Sequence, residues 1–426
     1  MLTRVRELIE RGMADGLHVG GQVCVWRGEG CVADFGVGVV DVAGVGVVDV
    51  AAGGGAAPST SRDREGADPR SGVDESQGPL PDGRGSSERN SIRPDSIALW
   101  MSSGKPVTAV AIAQLVEAGE VELDDEIAAF IPAFAPHGKE DITVRHLLTH
   151  TAGLRTADFR YPRDDWDTII AAVCDRPPED GWVTGEKAGY HTQTTWFILG
   201  ELVRLVDGRP IDQYVREMIF EPLGMNDSWM GMPPAVYDGY AEQGRLMMMP
   251  NTAASGPGSK PSKSALMSKD WSTRPRPGGN CMGPIRELAR FYRMLLGGGE
   301  LDGVRILQPE TVGLFTSRQR EGMYDHTFKA TVDWGLGFVM NSAQHAPRNS
   351  DGVPDLSRIP YGYGPHASRE TFGHSGAQSS VGFADPGNDL AVAIVLNGMP
   401  GEAKHQRRML PLLTALYAGL GLGDVS

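Results

Sequence analysis

Cysteine and positive charge are both scarce in this chain of 426 residues. There is no C-x-x-C pair of the kind that holds zinc, and the four cysteines are Cys24, Cys31, Cys174 and Cys281. We expect buried thiols in a reducing compartment. Lysine and arginine number 40 against 54 aspartates and glutamates, which gives a formal charge of −14. This charge opposes binding to nucleic acid or to an anionic membrane surface, and we expect neither partner.

A hydrophobic run long enough to cross a membrane is also missing. The most apolar stretch, residues 35–57, is interrupted by Asp41 and Asp49 and diluted by glycine. At the N-terminus, apolar residues at helical spacing are interleaved with charged ones, which predicts an amphipathic helix rather than a signal peptide. We therefore expect a cytoplasmic protein.

Several catalytic motifs are absent as well. No Gly-x-Ser-x-Gly occurs, which excludes the nucleophile elbow of an α/β-hydrolase. The pair Gly104-Lys105 lacks the upstream glycine of a phosphate-binding loop. His146 and His150 stand four residues apart, but without the glutamate of a His-Glu-x-x-His zinc motif. We therefore expect neither a metal nor a cofactor.

Apolar patterning predicts the elements that are present. Alternating runs at 21–27 and 31–35 predict a β-hairpin. Two further runs near the C-terminus, 380–384 and 390–396, predict strands. Residues 107–117 predict a largely buried helix that ends at a glycine.

These elements suggest two parts and an insertion. We expect the N- and C-terminal strands to share one sheet in an α/β domain formed by residues 1–125 and 275–426. Residues 126–274, mainly helical in pattern, would form an inserted lobe, with a ligand cleft between the two parts. Residues 43–95 are rich in Gly, Ser, Pro, Asp and Arg over most of their length, and we interpret them as a disordered insertion.

Ser102 and Lys105 form the only Ser-x-x-Lys motif of the chain, at the start of the predicted buried helix. At this spacing the hydroxyl and the ammonium project from one helix face. The helix start supplies free N–H groups and a positive dipole end, which stabilise a developing oxyanion. A lysine desolvated in a cleft can lose its proton near neutral pH and activate a serine without histidine. The alternative is a capping serine beside a solvated lysine.

Longer segments give these two residues a family context. The chain resembles class C β-lactamases, penicillin-binding D-peptidases and the related serine esterases and acyltransferases over most of its length outside 43–95. The segments that carry the resemblance, besides the Ser-x-x-Lys motif, are Ile142–Leu154, Ile198–Val203, Ile219–Met225, Glu287–Phe291 and Leu295–Gly299. The resemblance implies a β-lactamase-like α/β sandwich, in which helices flank an antiparallel sheet and a mainly helical lobe is inserted.

The second motif of that family, Tyr-x-Asn or Tyr-x-Ser, is replaced here by Tyr190-His191-Thr192. The resemblance implies that Tyr190 is a general base. As a phenolate it would need a cation such as Lys105 to lower its pKa from about 10. Thr192 keeps a hydroxyl but lacks the amide of asparagine, and the resemblance places it in substrate binding. The alternative for Tyr190 is a tyrosine buried for packing.

The third motif, Lys-Thr-Gly or His-x-Gly, corresponds to His374-Ser375-Gly376. The resemblance implies that these three residues contact substrate. It also implies that the N–H of Ala377 faces the N–H of Ser102 in an oxyanion hole. A lysine would attract a carboxylate, whereas histidine is largely neutral at pH 7, so His374 favours neutral esters or amides. A solvent-exposed histidine at a strand end is the alternative.

Together these residues predict an enzyme that is acylated on Ser102 by a small-molecule ester or amide. Water as acceptor would make it a hydrolase, which we favour because hydrolysis needs no second binding site. An alcohol or amine as a second substrate would make it an acyltransferase of natural-product biosynthesis. A non-catalytic penicillin-binding-like module is the third alternative.

Overall fold

The computed structural model describes residues 2–41, 90–254 and 260–423. In chain order its strands are β1 (Gly20–Arg27), β2 (Gly30–Gly38), β3 (Ala98–Leu99), β4 (Trp229–Met230), β5 (Cys281–Gly283), β6 (Glu300–Leu301), β7 (Val304–Arg305), β8 (Tyr324–Asp325), β9 (Ala330–Thr331), β10 (Val339–Met340), β11 (Phe372–Gly376), β12 (Ser380–Asp385) and β13 (Leu390–Leu396). Six of them form the main sheet in the order β10-β11-β12-β13-β1-β2, with every neighbouring pair antiparallel.

Helices lie on both faces of this sheet and in a separate cluster beside it. In chain order they are α1 (Thr3–Ala14), α2 (Lys105–Glu117), α3 (Ile127–Phe130), α4 (Val144–Leu148), α5 (Trp166–Asp175), α6 (Thr194–Asp207), α7 (Ile211–Val215), α8 (Pro234–Glu242), α9 (Lys269–Ser272), α10 (Ile285–Leu296), α11 (Pro309–Phe315) and α12 (Glu402–Gly419). A π-helical turn, Arg216–Phe220, continues α7. No described helix has the length and apolar character needed to cross a bilayer.

Strand β13 explains how two layers of helices are held on one sheet. All seven of its residues are buried, and successive side chains of a strand point to opposite faces. Val392 and Ile394 belong to the core that includes residues of α1 and α12. Ala391 and Ala393 belong to the core that includes residues of α10. A continuous apolar run is what a central strand covered on both faces requires.

The helical part is centred on α2, which packs against α6 and α7. Ten of its thirteen residues are buried, and the side chain of Lys105 is among them. The three short strands β3, β5 and β4 pair in that order and join the start of α2 to the region before α10. Runs of two or three residues are too short for periodicity to reveal, and the sequence did not predict this small sheet.

The predicted elements are present with shifted ends. The hairpin, both C-terminal strands and the N-terminal helix are confirmed, and the N- and C-terminal strands share one sheet through the β1–β13 pairing. The buried helix begins at Lys105, two residues earlier than predicted. The α/β sandwich and the neighbouring mainly helical part agree with the predicted fold. The division at residues 125 and 275 stays a prediction.

The predicted insertion needs a correction at its C-terminal end. Residues 42–89 lie outside the described residues, but 90–95 are part of the fold. The backbone N–H of Val40 donates to the carbonyl of Asn90 at 2.8 Å, and that of Ile92 donates to Gly38 at 2.9 Å. The Ile92 side chain is buried in the main core. A single apolar residue in a polar stretch gives no periodic signal, so composition alone placed the boundary too late.

Candidate active site

Ser102 lies on a tight turn between strand β3 and helix α2. The turn is a 3₁₀ helix, Met101–Gly104, that runs directly into α2. It is attached to the main sheet because the Ser103 hydroxyl lies 3.0 Å from that of Ser380, which in turn donates to the Trp100 carbonyl at 2.6 Å. Met101 has a φ of 51°, in the region that L residues rarely adopt. These contacts hold Ser102, whose side chain is half-buried, at the N-terminal end of α2.

Two neighbours of the turn explain its sequence. A Cβ on Gly104 would lie 2.5 Å from the Cβ of Cys281 in β5, so only glycine lets the turn approach that strand. Pro106 occupies the first turn of α2, where a missing backbone N–H costs little. The Ser-x-x-Lys spacing thus begins on the 3₁₀ turn and ends on the first residue of the α-helix.

Lys105 is fully buried and contacts Ser102 directly. Its Nζ lies 3.0 Å from Ser102 Oγ and 2.9 Å from the carbonyl oxygen of Thr192, and it also donates to the carbonyl of Gly278. Burial, and then the positive charge of Arg276, hold the pKa of Lys105 well below its usual value. The alternative of a solvated lysine is therefore wrong.

Tyr190 completes the contacts of the Ser102 hydroxyl. Its phenolic O–H donates to Ser102 Oγ at 2.9 Å. The ring stacks on Phe328 and Trp334, with centroid distances of 4.8 and 5.7 Å. Its backbone N–H donates to the Asp325 carboxylate at 3.1 Å. Tyr190 is thus both packed and in contact with the candidate nucleophile.

The charge state expected of Tyr190 stays a prediction, and burial opposes it. Burial raises the pKa of Tyr190 above its usual value, and the hydrogen bond to Ser102 only partly opposes this rise. Lys105 was expected to lower it as a cation, but burial disfavours the charged form of Lys105 as well. The same desolvation acts on both groups and favours the uncharged form of each.

His374 and Ser375 lie on strand β11 at the edge of the same site. His374 is buried, and its Nδ1 is 2.8 Å from the carbonyl of Ser375, while Nε2 has no partner among the described residues. Its ring lies 5.8 Å from that of Tyr190. Burial lowers the pKa of His374 to about 3, so the imidazole is neutral at pH 7. The alternative of an exposed strand-end histidine is wrong.

Strand β11 comes very close to the Ser102 turn at Gly376. A Cβ at this glycine would lie 2.5 Å from the carbonyl oxygen of Trp100 and 2.8 Å from the Cβ of Met101. Ala377, the next residue, lines the same cavity as Ser102. This approach is compatible with the oxyanion hole that the resemblance implies. The pairing of the Ala377 and Ser102 N–H groups stays a prediction.

Thr192 meets Lys105 through its backbone. The carbonyl oxygen accepts the Lys105 hydrogen bond, whereas the exposed side chain lines the cavity. The backbone contact is available to any residue type. This explains how the chain can hold Lys105 without the Asn or Ser of the family motif.

Further residues of the site were missed by sequence reasoning. His191 accepts the backbone N–H of Leu154 at Nε2 and lies 3.1 Å from His150 through Nδ1, which orders the loop before Tyr190. Gly278 and Arg276 stand on a loop just before β5. The run Pro-Arg-Pro-Gly-Gly at 275–279 was the available signal, since such a sequence predicts a rigid loop.

A cavity of about 430 Å³ opens at Ser102. This volume lies within the range of small-molecule sites. The described residues lining it combine one apolar wall with a few polar groups: Met101, Ser102, Tyr190, Thr192, Arg276, Gly278, Gly279, Thr327, Phe328, Val339, Pro360, Tyr361, His374, Ser375, Ala377, Glu402 and Gln406. Within the described ranges, no three His, Cys, Asp or Glu side chains are grouped so that they could hold a metal ion.

The sheet, the neighbouring helices and the Ser102 turn define a β-lactamase-like fold of serine hydrolases. Residues 5–416 match the model of the Beta-lactamase family, and the chain belongs to that family. The resemblance inferred from the motifs is thereby confirmed.

Individual relatives agree with this assignment. Esterase/beta-lactamase LipL of Mycobacterium tuberculosis is 26% identical over 352 residues, which cover 76% of this chain and 72% of LipL. A penicillin-binding protein homologue from Caulobacter crescentus superposes with a TM-score of 0.70 at 27% identity, over 98% of this chain and 97% of its own. A family VIII carboxylesterase shares the fold with a TM-score of 0.70 at 24% identity, over the same fractions of the two chains.

Proposed function

We propose that this protein hydrolyses an ester or amide of a small molecule through an acyl-enzyme on Ser102. The observation that carries the proposal is the contact of one serine oxygen with two buried proton-transfer groups. Lys105 Nζ lies 3.0 Å and the Tyr190 hydroxyl 2.9 Å from Ser102 Oγ, at the wall of the 430 Å³ cavity. This is the arrangement of an activated nucleophile.

Lys105 is the proposed base. A neutral amine has two N–H groups and one lone pair. The carbonyls of Thr192 and Gly278 accept the two N–H groups, so the lone pair faces the hydroxyl of Ser102. Lys105 takes the Ser102 proton while Oγ attacks the substrate carbonyl carbon.

Tyr190 is the proposed proton relay. Its neutral hydroxyl stays next to Ser102 Oγ, where the leaving group departs when the tetrahedral intermediate collapses. A proton passes through this hydroxyl to the leaving oxygen or nitrogen, and Lys105 returns to its neutral form. Water then attacks the acyl-enzyme with the same groups in reversed roles. The N–H groups of Ser102 and Ala377 stabilise the oxyanion in both steps.

Acyl transfer to an alcohol or amine is the second candidate. Phe328, Val339 and Pro360 give the cavity apolar lining against which a second substrate could exclude water. Esterase and acyltransferase chemistry share the acyl-enzyme, so they differ only in the acceptor of the second step.

A mass-spectrometric time course with activated acyl esters tests both candidates. The wild type should carry an acyl adduct on Ser102, and Ser102→Ala should carry none. Ser317→Ala is the control, because it removes an exposed serine hydroxyl that does not line the Ser102 cavity. With alcohols and amines present, release of free acid supports the hydrolase, and an ester or amide product supports the transferase. A chain that forms no adduct and turns over no ester is the non-catalytic module.

A further inference from the structure

Arg276 lines the Ser102 cavity, and no described residue supplies it with a counter-ion. Its Nε donates to the side-chain oxygen of Gln193 at 2.9 Å. The guanidinium lies over the rings of Tyr161 and Trp271, at 5.0 and 5.3 Å from their centroids. No carboxylate pairs with it among the described residues, and the terminal nitrogens have no hydrogen-bond partner there. Burial lowers the pKa of Arg276 only to about 10, so it remains charged at pH 7.

The loop that carries Arg276 is rigidly tied to the catalytic groups. The Arg276 backbone N–H donates to the side chain of Asn280, and the carbonyl of Arg276 accepts the N–H of Gly279. Gly278, two residues along, accepts a hydrogen bond from Lys105. Arg276 therefore lines the same cavity as Ser102, on a loop whose backbone also contacts Lys105.

The rest of the cavity does not neutralise this charge. Glu402 also lines the cavity, but its carboxylate accepts the hydroxyl of Tyr361 at 2.5 Å and forms no ion pair with Arg276. His374, where the family motif can carry lysine, is uncharged at pH 7. Among the described residues lining the cavity, Arg276 is thus the one that carries a positive charge at pH 7. It stands on the loop before β5, whereas the lysine of the family's third motif would stand on β11.

We propose that Arg276 is an anion subsite and that the substrate is an ester or amide with a carboxylate close to the scissile carbonyl. A partly buried guanidinium is costly to leave unpaired, and a bidentate carboxylate satisfies its planar pair of N–H groups. The terminal nitrogens would hold that carboxylate while Ser102 attacks the neighbouring carbonyl. The inference rests on the proposed acyl-enzyme chemistry and narrows its substrate class. It replaces the preference for neutral substrates expected from His374.

Matched substrates separate charge from reactivity. Phenylacetylglycolate, phenylacetylglycolamide and phenylacetylcholine place an anion, a neutral isostere and a cation on the leaving group. Monomethyl glutarate and methyl glutaramate place the anion and its neutral isostere on the acyl side. Hydrolysis is followed by chromatography, and the measured quantity is the ratio of kcat/KM between the members of a set. This ratio cancels any general effect of a mutation on Lys105.

Arg276→Gln and Arg276→Lys are compared with Arg274→Gln, an exposed arginine on the same loop. We expect wild type to prefer the carboxylate substrate of at least one set, and Arg276→Gln to lower that preference about 10- to 100-fold. Arg276→Lys should retain part of the preference for the carboxylate substrate. In Arg276→Gln the kcat/KM of the cationic ester should rise relative to that of the neutral ester. Arg274→Gln should match wild type.

The outcomes also distinguish failure of the anion subsite from failure of the proposed acyl-enzyme chemistry. Equal ratios in wild type and Arg276→Gln for both sets, with neutral esters still cleaved through Ser102, would overturn the anion subsite and keep the hydrolase. If the wild type turns over no substrate and forms no adduct on Ser102, the proposed function itself is overturned.

Discussion

Around Ser102, burial shifts the pKa values of the two side chains that contact its hydroxyl. A lysine and a tyrosine that were both ionised would attract each other, but each would first lose its hydration. The pKa of Lys105 is lowered and that of Tyr190 is raised, mainly by the same desolvation. In its uncharged form Lys105 carries a lone pair, and uncharged Tyr190 keeps a hydrogen-bond donor. The proposed mechanism uses these two groups as the base and the relay.

The pH dependence of the reaction tests that assignment. We expect kcat/KM to rise with pH as Lys105 loses its proton, along a limb well below the usual lysine pKa of about 10.4. Tyr190→Phe should lower the plateau about 10²- to 10⁴-fold and keep the limb, because the base remains. Disappearance of the limb in Tyr190→Phe would make the tyrosine the base. Tyr237→Phe, which removes a hydroxyl that donates to Met267, serves as the control.

At the scale of elements, the site depends on how closely strand β11 approaches the turn before α2. The carbonyl of Trp100 belongs to backbone that cannot rotate away, so a side chain at Gly376 would force the two elements apart. The oxyanion donors implied at Ser102 and Ala377 belong to residues adjacent in sequence to this contact, Ser102 next to Met101 and Ala377 next to Gly376. The distance between these two donors therefore depends on Gly376 having no side chain.

Gly376→Ala should damage catalysis more than stability. We expect kcat to fall about 10²- to 10³-fold, the usual cost of losing one oxyanion donor. The melting temperature should fall by several degrees, since the strand must shift. Gly313→Ala, which adds a methyl group to α11 where nothing lies within 4 Å, should leave kcat unchanged. Unaltered activity in Gly376→Ala would show that this approach does not form the oxyanion hole.

At the scale of the whole molecule, the described residues on either side of 42–89, Asp41 and Asn90, lie next to each other. Asp41 and Asn90 exchange hydrogen bonds, since the Asn90 amide donates to the Asp41 carbonyl at 3.0 Å and its oxygen accepts the Asp41 N–H at 3.2 Å. A short link can therefore join the two ends. Residues 90–95, by contrast, are bonded into the fold, because the carbonyl of Arg93 accepts a hydrogen bond from the side chain of buried Gln22.

Two deletions should separate these roles. Replacing 42–89 with a short Gly-Ser linker should preserve a cooperative calorimetric melt, because loop-closure entropy changes slowly with length. Removing 43–95 also removes buried Ile92, and we expect a loss of about 2–5 kcal/mol in the free energy of unfolding. A broad, non-cooperative melt of the first variant would mean that 42–89 contributes to the core.

The sequence alone determined features that depend on neighbours along the chain. Alternation and helical spacing predicted the hairpin, the C-terminal strands and α2, because secondary structure repeats over a few residues. The spacing of Ser102 and Lys105 predicted that their side chains meet, and longer motifs identified the family.

Tertiary structure decided whatever depends on contacts between distant segments. The lowered pKa values of Lys105 and His374 and the raised pKa of Tyr190 follow mainly from burial, which a motif does not specify. The carbonyl of Thr192 meets Lys105 from a segment 87 residues away in the chain. Arg276, which has no carboxylate partner among the described residues, lies on a loop more than 80 residues after Tyr190. Desolvation and charge pairing are properties of position in space, so they emerge only when the chain is folded.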